Sequence, residues 1–202
     1  MVEGQLRRRG IRDSRVLTAM LEIPRQLFVP PESRVSCYGD FALPIGYGQT
    51  ISQPYMTALM AEALELRGAE TVLEIGAGSG YAAAVLGALA ARVVSLEIVP
   101  ALAERAKASL RAAGCGGNAE VIAADGAAGY APLAPYDAIS VAACAPEIPV
   151  ALLEQLADSG RMAIPVGGPT QQNLVVVSKR GGRIFSRISV GCLFVPLRGG
   201  VK

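Results

Sequence analysis

From Thr71 onward the chain alternates short, apolar runs with longer segments whose apolar residues recur at helical spacing. The runs at 71–75, 92–96, 120–123, 136–141 and 161–166 predict buried strands. Between them, 81–89, 100–113 and 149–156 predict helices. Such alternation predicts a Rossmann-like, doubly wound α/β fold with a mostly parallel sheet. The runs at 173–179, 183–190 and 192–197 follow with little but glycine between them, which predicts an antiparallel edge. Ahead of this core, Asp13 is placed to cap a helix that brings Val16, Leu17, Met20 and Leu21 onto one face, with Pro24 ending it. Residues 37–53, CYGDFALPIGYGQTISQ, are so rich in Gly and Pro that irregular backbone is expected, held by what it packs on. A helix is predicted over 54–64.

Composition narrows the chemistry. Hydrophobic residues make up 51% and charged residues 18%, enough apolar surface for a substantial core in a single domain over 1–202. The most apolar stretch, 81–91, ends at Arg92, short of the ~20 residues that span a bilayer. Polar residues follow Arg7, Arg8 and Arg9, unlike a signal peptide, so a cytoplasmic protein without a membrane partner is expected. The net charge of +2 and the lack of aromatics among Arg7–Arg9, Arg12 and Arg15 argue for a solvated helical face, with no nucleic-acid partner. There is no histidine, which excludes Ser-His-Asp and Cys-His catalysis and HExxH zinc chemistry. Cys37, Cys115, Cys144 and Cys192 are scattered, so no metal site is expected.

The candidate chemistry lies at the first strand–helix turn, Glu74-Ile-Gly76-Ala-Gly78-Ser-Gly80. Open α/β sheets bind ligands beside this turn, where glycine lets a ligand approach the backbone. The spacing is GxGxG, unlike the GxGxxG suited to a dinucleotide pyrophosphate. Glu97 ends the second strand about twenty positions later, where a carboxylate can accept both hydroxyls of a ribose. Asp125, followed by Gly126, lies just past the third strand on the same sheet edge, within reach of an adenine amino group.

VLEIGAGSGY and these acids resemble the S-adenosylmethionine-dependent methyltransferases. More specifically, IPRQLFVP at 23–30, ALPIGYGQTISQPYMTALM at 42–60, YDAISVAACAPEIPVALLEQL at 136–156, GRMAIPVG at 160–167 and FVPL at 194–197 resemble the protein-L-isoaspartate O-methyltransferase family. That resemblance implies S-adenosyl-L-methionine as cofactor and isoaspartyl-containing proteins or peptides as partners. It implies Ser52 as the active-site serine, with Thr50 and Ile51 beside the cofactor. It also implies Glu74, Gly76, Gly78, Glu97, Asp125 and Gly126 as cofactor-contacting positions. Residues 1–65 then form a helical extension with the substrate and active-site loop, and 66–202 the cofactor-binding core. A serine hydroxyl can hold a substrate carboxylate in line for transfer, although Ser52 before Gln53-Pro54 also reads as a helix cap. Tyr47 and Tyr55 are expected in the core, and Cys144, after the fourth strand of the core, beside the substrate region. Two other functions fit the same residues: an aspartate O-methyltransferase acting on a dedicated precursor peptide, and a non-catalytic cofactor-binding module.

Overall fold

A computed structural model describes residues 1–200. A short helical coil, Val2–Leu6, opens the chain. In α1 (Ser14–Glu22) Asp13 is the cap, its Oδ1 accepting from the amides of Arg15 at 2.8 Å and Val16 at 3.4 Å. Val16, Leu17 and Met20 turn inward, but Leu21 is 72% exposed, because one more step round the helix leaves the buried stripe. The arginines expected on a solvated face act largely as tethers. Arg9 pairs with Asp40 and lies over the Tyr55 ring, and Arg15 donates to the carbonyls of Leu66 and Leu89.

The Gly/Pro-rich segment is more regular than its composition suggests. β1 (Leu43–Gly46) and β2 (Gln49–Ile51) form an antiparallel hairpin turned by Gly46, Tyr47 and Gly48, all at positive φ. Leu43, Ile45 and Ile51 are buried while Pro44 and Gly46 face out, the period of two that defines a half-buried strand. α2 (Pro54–Ala63) follows directly.

The main sheet comprises β3 (Thr71–Ile75), β4 (Arg92–Glu97), β5 (Ala119–Ala123), β6 (Tyr136–Val141), β7 (Leu156–Gly167), β8 (Gln172–Arg180) and β9 (Arg183–Cys192). Its order is β5-β4-β3-β6-β7-β8-β9, parallel as far as β7 and antiparallel from there to β9. The Rossmann-like expectation therefore holds, including the antiparallel edge. Connections run through α3 (Tyr81–Gly87), α4 (Pro100–Ala112) and α5 (Val150–Gln155). Alternate strand residues feed opposite faces. Val72, Val93 and Val121 pack with α1 to α4, whereas Leu73, Val94 and Ile139 pack with Leu152 of α5. Because the chain moves outward from β3 to β5 and then returns to β6, the sheet reverses direction between β3 and β6.

Two predicted boundaries move. β7 begins at Leu156, earlier than its apolar run, and shortens α5 to six residues. The run 192–197 is not a strand. β9 ends at Cys192, and the chain turns back over the carboxyl ends of the sheet, where Cys144 N donates to Val195 O at 2.8 Å and Leu197 N to Cys144 O at 2.7 Å. Pro196 has no N–H for a ladder, and this crossing leaves its apolar neighbours Val195 and Leu197 half-buried.

Gly80 sets the approach of α3 to α4. It sits at φ +86°, and a Cβ there would lie 3.1 Å from the Ala106 Cβ and 3.2 Å from its backbone. Gly80→Ala is expected to lose about 1–3 kcal/mol of stability in denaturant unfolding, from left-handed strain plus overpacking.

Candidate functional site

At the reversal between β3 and β6, the glycine loop is stitched down by its own amides. Gly76 N and Ala77 N both donate to Leu96 O, at 2.8 and 3.0 Å, and Gly78 N donates to Glu97 Oε2 at 2.7 Å. The other oxygen, Glu97 Oε1, accepts from Val99 N at 2.9 Å. Positive φ at Gly76 and Gly78 lets the loop curl, and a Cβ on Gly78 would press within 3.4 Å of Ile45 in the hairpin. Above the loop opens a cleft walled by the loop, by β2 and by residues 195–198.

Most of the predicted site residues meet here. Thr50, Ile51, Ser52, Gly76, Gly78, Glu97 and Gly126 line the cleft. Glu97 is 4% exposed, and each of its oxygens keeps a lone pair beyond its one amide bond, which leaves capacity for a vicinal diol. Gly126 gives the wall its flatness, because a Cβ there would strike the Ile75 side chain at 2.7 Å. The loop, the diol acceptor and the flat wall together fit an adenosyl group.

Two predicted contacts are placed elsewhere. Glu74 is fully buried beneath the loop, on the same face as Ser95 and Ser140 of the adjoining strands. Its Oε2 accepts from the Ser95 hydroxyl, while Oε1 has no partner. Burial raises its pKa to about 8, with the nearby Glu97 charge adding to the rise and the Ser95 bond opposing it. Asp125 stands one residue outside the wall, engaged by backbone: Oδ1 accepts from Ala127 N and Oδ2 from Gly200 N, both at 2.9 Å. It therefore anchors the C-terminal segment. Cys144 lines neither this cleft nor the next, and burial pushes its thiol up, away from a reactive thiolate. Tyr47 is 59% exposed at the hairpin turn, where the expected core packing would require the tight turn to be buried. Tyr55 is buried as expected.

A second cleft adjoins the first and is lined by Arg9, Tyr55 and the Val190–Val195 stretch among others. Thr50, Ser52, Ala142 and Val195 belong to both walls. Ser52 is thus at the junction. Helix capping does not occupy it: Gln53 is the N-cap of α2 without a side-chain cap bond, and Tyr55 N donates to Asp40 at 3.1 Å.

Sequence reasoning missed several wall residues. Val195, Pro196, Leu197 and Arg198 close one side of the first cleft, and Tyr81 and Ala142 contribute from α3 and the end of β6. The Pro after an apolar run was the available signal that 194–197 would leave the sheet. Among the described residues no cluster of His, Cys, Asp and Glu could hold a metal ion, and no helix is long and apolar enough to cross a membrane.

A glycine loop beneath a cleft at the sheet reversal, with an acid closing the second strand, defines the class of Rossmann-like methyltransferases. Comparison with known proteins narrows the class. The chain matches the family described as protein-L-isoaspartate(D-aspartate) O-methyltransferase over residues 1–202, and it belongs to that family. It is 54% identical over 199 residues to a protein-L-isoaspartate O-methyltransferase of Methanoculleus marisnigri, covering 98% of this chain and 90% of that one. A Plasmodium falciparum crystal structure assigned to the same activity, in complex with S-adenosyl-L-homocysteine, superposes with TM-score 0.82 at 27% identity, over 96% of this chain and 94% of that one. A further solved protein-L-isoaspartate O-methyltransferase gives TM-score 0.85 at 30% identity, over 96% and 64% of the two chains.

The buried Glu74 has a thermodynamic signature. Its folded pKa of about 8 lies above the ordinary 4.5, so the native state holds a proton that the unfolded chain releases, and stability falls as pH rises from about 4.5 to 8. In Glu74→Gln that contribution disappears, and the denaturation midpoint is expected to depend less on pH over this window than in the parent protein.

Proposed function

We propose that the chain transfers a methyl group from S-adenosyl-L-methionine to the free carboxylate of L-isoaspartyl residues in damaged proteins and peptides, initiating their repair through a succinimide. The observation that carries this reading is Ser52 at the junction of two clefts, one built over the glycine loop and the other beside it, with room for an acceptor. The match to the family and the activity named for the relatives support it.

When bound, S-adenosyl-L-methionine supplies an electrophilic methyl group on a sulfonium. Glu97 takes the ribose hydroxyls, the curled backbone at Gly76 and Gly78 gives close access, and Thr50, Ile51 and Gly126 shape the walls. Ser52 donates its hydroxyl to one oxygen of the substrate carboxylate, which orients the other for attack. Ala142 and Val195, the apolar residues at the junction, limit water around the anion. A carboxylate with a pKa near ~4 is already ionised at neutral pH, so no residue need act as general base. The two segments, 1–65 and 66–202, serve this reaction as one domain, since one core cluster draws residues from both. The four cysteines are free thiols, in keeping with a cytoplasmic protein.

Matched peptides that differ only in isoaspartyl or aspartyl linkage provide the direct test. Methyl transfer to the isoaspartyl peptide alone is expected, and transfer confined to the aspartyl peptide would overturn the reading. Glu97→Ala is expected to weaken cofactor binding by about 1–3 kcal/mol in calorimetry, through loss of charge-assisted hydrogen bonds. Ser52→Ala is expected to lower kcat while leaving cofactor affinity within about twofold, since its role is orientation of the acceptor.

A further inference from the structure

The segment IPRQLFVP, residues 23–30, is among the blocks that mark the family resemblance, yet it lines neither cleft. Its Arg25 is 0% exposed. No carboxylate pairs with it among the described residues, an expensive state for a cation away from water. The guanidinium is committed to backbone instead. Nε donates to Cys37 O at 2.8 Å, Nη2 donates to Ser52 O at 2.7 Å, and Nη1 has no hydrogen-bond partner. The guanidinium carbon lies 4.7 Å from the centroid of the Tyr81 ring, which itself helps to wall the first cleft.

The carbonyl at Ser52 needs such a partner. β2 ends at Ile51 and α2 begins at Pro54, so Ser52 lies in irregular backbone where neither a sheet ladder nor a helix fixes its peptide. A rigid, planar fork stacked on an aromatic ring can hold two carbonyls at a set separation, which a lysine ammonium on a flexible stem cannot. If packing were the whole role of position 25, an apolar side chain would fill the space without the cost of burying charge.

We propose that Arg25 is a positioning residue for methyl transfer: by clamping the Ser52 carbonyl between the Cys37 loop and Tyr81, it holds Ser52 at the junction of the two clefts. It acts on turnover through Ser52 and has no part in cofactor affinity. This rests on the role given to Ser52 above.

A four-member cycle tests it: the parent enzyme, Arg25→Lys, Ser52→Ala and the double variant. The readouts are kcat on an isoaspartyl peptide, S-adenosyl-L-homocysteine affinity by calorimetry, and thermal unfolding. Arg25→Lys is expected to lower kcat by roughly tenfold or more, the scale on which lost orientation is felt, with S-adenosyl-L-homocysteine affinity within about twofold. In the Ser52→Ala background the same substitution is expected to have little further effect on kcat, because coupled groups lose additivity. Equal losses in both backgrounds, or unchanged kcat in folded Arg25→Lys, would overturn the proposal. Full turnover by Ser52→Ala would overturn the Ser52 role itself and this proposal with it, a result distinct from either of those. Should Arg25→Lys not fold at the assay temperature, Arg25→Gln, neutral and still able to donate, carries the same cycle with the same outcomes.

Discussion

Three consecutive amides, of Gly76, Ala77 and Gly78, are drawn onto the end of β4, the first two by the Leu96 carbonyl and the third by the Glu97 carboxylate. This stitching bends the chain sharply as it leaves β3 and sets Gly80, the N-cap of α3, against α4. The cleft exists because the loop lies flat on its neighbour. The hairpin of β1 and β2 can then rest on it, with Ile45 against Gly78 and Arg105 of α4 donating to the Ile45 carbonyl at 2.7 Å. The hairpin wall of the site is thus referenced to those few bonds, while the 195–198 wall is held separately through Cys144.

The parts of this arrangement that were legible in the sequence are those with a period. Apolar runs located β3, β4 and β6, and the glycine spacing with Glu97 located the ligand end of the sheet. The walls drawn from 42–53 and 193–198 were not legible as elements. A four-residue strand offers too few alternations beside Pro44, Gly46 and Gly48, and a chain that crosses the sheet end has no period at all. Acids were harder still. Glu74, Glu97 and Asp125 look equivalent as letters near strand ends, yet only Glu97 faces the cleft. Glu74 is one residue short of the strand end and so points into the packed face, while Asp125 is turned aside by a tail whose position depends on the whole fold.

The empty histidine count fits the chemistry of the site. Transfer to a ready-made anion requires alignment and partial dehydration more than proton movement, and the side chains at the junction are small or hydroxylic. Arg198 lines the first cleft and Arg9 the second, but the four residues shared by both walls, Thr50, Ser52, Ala142 and Val195, carry no charge. Arg25 is behind the Ser52 peptide, and burial raises the pKa of Glu74 to about 8.

The outer edge of β9 bears on how the protein behaves in a crowded solution. Ile184, Phe185 and Ile188 are exposed on this last strand, which pairs with β8 on one side only, a geometry that invites edge-to-edge association and fibrous growth. The strand Arg183–Cys192 carries Arg183 and Arg187 and no acidic residue. A second copy adding itself there in parallel, in-register pairing would line up cations against cations with no carboxylate on either strand to offset them. The same edge that is apolar enough to stick is therefore charged to repel its own kind.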